Sequence, residues 1–89
     1  MITRTVTITN KLGLHARASA KLTKLAGGYK SEIFMTRNGR RVNAKSIMGV
    51  MMLAAGLGAE VVVETDGQSE QEAMDAILAL INDRFGEGE

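Results

Sequence analysis

The run of hydrophobic periods along the chain predicts an α+β fold, a two-layer β-sandwich with the element order β-α-β-β-α-β-α. Three observations carry this. Residues 2–9, 31–37, 40–43 and 60–65 alternate or cluster apolar residues as strands do. Residues 16–26, 47–53 and 70–81 place them three and four apart, as helices do. Asn38-Gly39, between two of the strands, is a strong short-range hairpin signal because both residues accept positive φ. With 89 residues, the chain is expected to form one domain, 1–89. A domain of that size buries only about 60–65% of the surface its unfolded chain exposes.

In the first strand Ile2, Val6 and Ile8 share one face, and Thr3, Thr5, Thr7 and Thr9 the other. Arg4 interrupts the apolar face and suggests an edge. Asn10 to Leu14 form a loop. The first helix should run from about Ala16 to Ala26, burying Ala18, Leu22, Leu25 and Ala26, with Lys21 and Lys24 off that stripe. Gly27-Gly28 ends it. Ser31 to Arg37 and Arg40 to Asn43 flank the hairpin turn. Arg37, Arg40 and Arg41 around it read as a solvated tip that discourages edge pairing.

Ser46 is a natural N-cap for the second helix. Ile47, Met48, Val50, Met51, Met52 and Leu53 make that helix apolar nearly all round, and so short a helix cannot bury every side. Met51 or Met52 is expected in the core and Met48 in solvent, as part of an exposed apolar patch suited to a partner. After Gly56 and Gly58, Glu60 to Thr65 read as the fourth strand and Asp66-Gly67 as a turn. Ser69 and Glu72 have the spacing of a capping box for the third helix, whose stripe is Ala73, Ile77, Leu80 and Ile81. Glu70, Glu72 and Asp75 suit its first turns. Residues Gly86 to Glu89 are expected to fray.

His15, the chain's one histidine, stands where the first strand pattern gives way to the first helix. A helix N-terminus attracts anions through its free N–H groups and its dipole. Arg17 puts a guanidinium, a group shaped to grip phosphate, at an end where a cation is otherwise unfavourable. Gly13 lets backbone approach closely just before it. A phosphate on His15 would meet the backbone of Ala16 and Arg17 and the Arg17 side chain together.

Residues 1–50 hold ten Lys or Arg against one acid, a balance of +9, and residues 51–89 hold one Arg against nine acids, −8. A basic face around His15 would steer an acidic partner, in a salt-sensitive way. The absence of cysteine rules out disulfides and thiolate metal sites, and one histidine cannot make a histidine metal cluster. No apolar run is long enough to span a bilayer and no signal-peptide pattern is present. The expected location is cytoplasmic, with no membrane insertion.

Asn10-Lys11-Leu12-Gly13-Leu14-His15-Ala16-Arg17, followed by Lys45-Ser46-Ile47-Met48-Gly49-Val50-Met51, resembles the histidine-containing phosphocarrier (HPr) family of the bacterial phosphotransferase system. The likeness runs through nearly the whole chain. It departs at Ala18, where the family usually has proline. The resemblance implies a four-stranded antiparallel sheet of order 1-4-2-3 with three helices on one face and the other face open to solvent, an open-faced β-sandwich. It implies a carrier, not an enzyme, that acts as a monomer without cofactor or metal. Phosphoryl would pass from enzyme I to His15 Nδ1 and on to A components of the system, for sugar uptake or for the nitrogen-linked regulatory branch. Ser46 matches a serine that a dedicated kinase modifies in many members. The implied docking face joins Ala20, Lys21 and Lys24 of the first helix to Lys45, Ile47, Met48 and Met51.

The helix N-terminus and Arg17 both disfavour a charged ring, so they should keep the imidazole neutral and nucleophilic, then stabilise the phosphate. No further base is needed, and the sequence points to none. Two other readings fit the sequence less well. RNA-binding modules share the order β-α-β-β-α-β but stack bases on strand aromatics, and the aromatic residues here are Tyr29, Phe34 and Phe85. A hydrolase using His15 as general base lacks a second catalytic group.

Overall fold

The computed structural model describes residues 1–88. The strands are β1 (Ile2–Thr7), β2 (Glu32–Arg37), β3 (Arg40–Asn43) and β4 (Glu60–Asp66). The helices are α1 (Ala16–Gly27), α2 (Ile47–Met52) and α3 (Glu70–Asn82), followed by a 3-10 turn over Arg84–Gly86. The strands form one sheet in the order β1-β4-β2-β3, every neighbouring pair antiparallel. Val6 stands opposite Val61, and Met35 opposite Val63.

Alternation decides which face is covered. Val61, Val63 and Thr65 of β4 are buried, while Glu60, Val62, Glu64 and Asp66 are not. The buried row meets Ala18, Leu22 and Ala26 of α1, Val50 of α2, and Ala73, Met74, Ile77 and Ile81 of α3 in one core. Thr3, Thr5 and Thr7 are exposed, as their alternation predicts. Arg4 pairs across the ladder with buried Val63 yet is itself exposed, because β1 is an edge strand. An inward-pointing charge at an edge discourages further strand pairing.

The hairpin forms as the sequence predicts, with φ of 51° at Asn38 and 80° at Gly39. The arginines around it are not simply a solvated tip. The Arg37 guanidinium donates to the Leu53 carbonyl at 3.1 Å, serving the C-terminal end of α2, where carbonyls lack partners. Arg41 reaches the Glu64 carboxylate through two bonds of 3.2 and 3.3 Å. It also lies 3.7 Å over the Phe34 ring.

Four further expectations are corrected. Met51 and Met52 are both exposed, at 38% and 57%, along with Met48 at 70%. In so short a helix the inward positions are taken by Val50 and, just beyond it, Leu53. Gly49 faces β3, where an added Cβ would lie 3.3 Å from the Val42 Cβ. Ser69 does not cap α3. It sits in the left-handed region (φ 63°) with no capping bond from its side chain, and the Glu70 carboxylate instead accepts from the Gly67 N–H at 3.0 Å. Leu80 is half-buried, and Met74 takes the place in the core expected of it. Finally, Gly86 and Glu87 do not fray. Phe85 is fully buried, the Lys21 ammonium donates to its carbonyl at 2.6 Å, and Glu87 is hydrogen-bonded. Glu89 lies outside the described residues.

Gly13 shows how tightly the loop before α1 is held. Its φ is +66°, and a Cβ there would lie 2.4 Å from the Ala55 carbonyl oxygen and 2.7 Å from the Gly56 Cα, both backbone atoms. Gly13→Ala is therefore expected to destabilise the fold by about 2–4 kcal/mol through left-handed strain and overpacking. Thermal unfolding would show this as a fall in Tm of roughly 8 °C or more. An unchanged Tm would mean that the loop is not clamped in this way.

Candidate functional site

The loop that delivers His15 is fixed at nearly every residue. Ile8 exchanges backbone bonds with the 58–59 segment, its N–H donating to Ala59 at 2.9 Å and its carbonyl accepting from Gly58 at 2.8 Å. Asn10, fully buried, uses its amide to hold the Gly13 carbonyl at 2.9 Å. The Leu14 N–H donates to Ala55 at 2.9 Å, and the Ser19 hydroxyl takes the Leu14 carbonyl at 3.0 Å.

His15 itself is the N-cap of α1, in extended backbone geometry. Its Nδ1 accepts from the Arg17 N–H at 3.3 Å, a long hydrogen bond. The first intrahelical bond runs from the Ser19 N–H to the His15 carbonyl at 2.9 Å. The N–H groups of Ala16, Arg17 and Ala18 thus precede the helical ladder, and Nδ1 points into them. The spacing predicts this placement of the ring at the free donors of a helix end, and the imidazole stands where a Ser or Asp cap commonly does. Ala18 is fully buried. Its N–H lies ahead of the ladder, at a position where a proline would sacrifice no intrahelical bond.

Lys11, Leu12, Arg17, Lys21 and Glu87 line the cleft around His15. Three of these are cations, as the charge asymmetry predicts. The acid is what the sequence reading missed. Glu87 Oε2 lies 2.6 Å from His15 Nε2, and Glu87 Oε1 accepts from the Asn10 amide at 3.0 Å. The Asn10 amide first, and His15 after it, hold the Glu87 carboxyl below its ordinary value, against an opposing push from desolvation. Phe85 was the available signal. A large aromatic residue just past the end of α3 has to be buried, and burying it carries the next residues back over the sheet's helical side.

Ser46 caps α2, its hydroxyl oxygen accepting from the Gly49 N–H at 3.1 Å. α1 and α2 lie side by side. Ala20, Lys21, Lys24, Lys45, Ile47, Met48 and Met51 are thereby brought to one region, and each of them is exposed. Two of the lysines are tied to backbone, Lys21 to Phe85 and Lys45 to the Tyr29 carbonyl at 2.8 Å. Leu12, 67% exposed beside His15, and Met52 add apolar surface that the sequence reading did not assign.

Comparison with known proteins places these features. Residues 2–83 match the family model described as PTS HPr component phosphorylation site. The chain belongs to the HPr family. The phosphocarrier protein HPr of Cupriavidus necator is 72% identical over 89 residues, which is the whole of both chains. A crystal structure of HPr from Thermoanaerobacter tengcongensis superposes with a TM-score of 0.95 at 41% identity, covering 98% of each chain. A second structure from that organism, described as an HPr dimer, superposes at 0.79 with the same identity and covers 98% of this chain and 100% of that one. HPr proteins are phosphocarriers of the phosphotransferase system, and the four-stranded antiparallel sheet with three helices is their fold. No helix among the described residues is long and apolar enough to cross a membrane.

The Glu87 contact has a pH signature. A carboxyl held below its ordinary value of 4.5 contributes fully above that value. Its contribution is lost as pH falls through the lowered native value. The Asn10 side-chain amide resonances should therefore report a docked Glu87 from neutral pH down to about pH 5 and shift below it. The acid transition should be missing in Glu87→Gln. An Asn10 signal that titrates equally in both proteins would contradict the contact.

Proposed function

We propose that this member of the HPr family accepts a phosphoryl group from phospho-enzyme I on His15 Nδ1 and passes it to A components of the phosphotransferase system. One observation carries the reading. Nδ1 is held at the open N-terminus of α1, 3.3 Å from the Arg17 N–H, so phosphoryl oxygens bonded there enter a ring of free backbone donors. In loading, the Nδ1 lone pair attacks phosphorus, the bond from phosphorus to the donor's histidine nitrogen breaks, and the donor leaves with its imidazole free of phosphate. The Arg17 guanidinium and the helix end then compensate charge on the phosphoryl oxygens, which is most of what phosphoryl transfer asks of a protein. The cleft is open at the surface, which suits a carrier that must release its cargo.

Ser46 is a regulatory phosphorylation site on this reading, served by a serine kinase. Its hydroxyl is exposed at the end of α2 next to exposed Ile47 and Met48. A phosphate there would keep oxygen acceptors at the helix end while putting negative charge into the docking face. That face joins apolar surface from α2 to a basic rim from α1 and Lys45. Burial of the methionines supplies affinity, and the rim supplies encounter rate.

Incubation with enzyme I and labelled phosphoenolpyruvate tests the carrier assignment. His15→Ala should fold, by circular dichroism, and take up no label. Stoichiometric label on that variant would place the carrier residue elsewhere. Arg17→Ala should still be labelled, but more slowly, by roughly ten- to a hundredfold if it supplies a charge-assisted contact of about 1.5–3 kcal/mol. An unchanged rate removes Arg17 from the mechanism.

The docking face should fail in two distinguishable ways. Met48→Ala should weaken binding to enzyme I with little change in salt dependence. Charge reversal at Lys24, and Ser46→Asp, should slow association and flatten the salt dependence. Transfer from enzyme I at two salt concentrations separates these. A Ser46→Asp protein that transfers as fast as the parent at low salt would put Ser46 outside the face.

A further inference from the structure

The two nitrogens of His15 have different neighbours, and together these assign its proton. Nδ1 faces a backbone donor, the Arg17 N–H, so it carries a lone pair. Nε2 faces the Glu87 carboxylate at 2.6 Å, an acceptor when ionised, so it carries the hydrogen. Glu87 is not there by chance of a loose tail. Its side chain is 12% exposed, its other oxygen is held by buried Asn10, and the residues before it are anchored by Phe85 and Lys21. Arg84 and Phe85 both take positive φ, 55° each, to bring the chain back to this place. Non-glycine residues adopt that conformation only where surrounding structure enforces it.

We propose that Glu87 is a positioning residue that keeps the proton on His15 Nε2 throughout the carrier cycle. This rests on reading His15 as the carrier. When the Nδ1 lone pair bonds to phosphorus, the ring becomes a phosphoimidazolium with its positive charge spread over both nitrogens. Lys11, Arg17 and Lys21 line the same cleft and oppose that charge, while the Glu87 carboxylate balances it. On unloading, an acceptor nucleophile attacks phosphorus and the Nδ1–P bond breaks. Its electron pair returns to Nδ1, and the leaving group is neutral imidazole with Nε2–H still in place. Without the carboxylate the loaded ring would lose that proton more readily, and the leaving group would be imidazolate, a far poorer one. Covering Nε2 also leaves Nδ1 as the nitrogen open to phosphorylation.

Two measurements test this. The first needs no enzyme I. The protein is phosphorylated with phosphoramidate, a small phosphoryl donor, and the modified nitrogen is identified by phosphorus and nitrogen NMR. The parent should carry phosphoryl on Nδ1, and Glu87→Ala should carry a substantial share on Nε2. The same nitrogen pattern in both proteins, or Nε2 modification of the parent, overturns the assignment. The second measurement follows spontaneous loss of phosphoryl from protein loaded by enzyme I, as a function of pH. Glu87→Gln keeps the size of the side chain and the bond to Asn10 but not the charge. Its phosphoryl should last longer near pH 8, by roughly three- to tenfold, with the release profile displaced to lower pH. Coincident release profiles for parent and Glu87→Gln overturn the proposal. If enzyme I loads neither protein, the carrier reading has failed, and the phosphoramidate pattern still decides whether Glu87 governs the ring.

Discussion

The site depends on a helix that begins on an imidazole. α1 has free N–H groups at its start, and the group that answers them is His15 Nδ1, through a long contact to the Arg17 N–H. Hydroxyl or carboxylate caps make shorter and stronger bonds to such donors. A weak cap leaves the anion-binding capacity of the helix end largely unspent, so on the proposed reading a phosphoryl group bonded to Nδ1 would not have to displace a good partner. The requirement propagates outward. The cap works only if His15 is extended, His15 is extended because Leu14 is bonded on both sides of its peptide, and Leu14 is placed by Gly13 and Asn10.

The opposite face of the sheet has a separate physical character. Its aromatic residue, Phe34, is covered by the Arg41 guanidinium, which is held there by Glu64. Phe85 is fully buried. A base-stacking module needs exposed aromatic rings on its strands, and these two rings are engaged within the fold. The shared element order with RNA-binding modules is thus a likeness of architecture, and function lies with the site built on it.

Local signals were legible in the sequence and long-range ones were not. The Asn38-Gly39 turn, the Ser46 cap and the alternation of β1 depend on residues a few positions apart, and each stands as read; of the α1 stripe Ala18, Leu22 and Ala26 stand, while Leu25 is half-buried at its margin and Ser19 and Thr23 are buried in its place. Strand order came through likeness to a known family, since periodicity says nothing about neighbours. Ser69 failed because the turn after β4 enters α3 through a left-handed residue, a matter of chain direction that spacing does not encode. Met51 and Met52 failed because an all-apolar helix does not say which side faces inward. Glu87 was the largest omission. It is 72 positions from His15, and only the burial of Phe85 brings it back.

The close approach of Gly13 to Ala55 joins two parts of the surface that the chain keeps far apart. The 55–59 segment follows α2 and is bonded to Ile8 and Leu14, the residues that lead into α1. The start of α1 and the exposed methionines of α2 are therefore mounted on one backbone framework. A partner meeting this face encounters a plate that is already assembled, so little of the binding free energy goes into ordering it. On the proposed reading, in which this chain collects phosphoryl from one protein and delivers it to another, rigidity here sets the tempo of exchange.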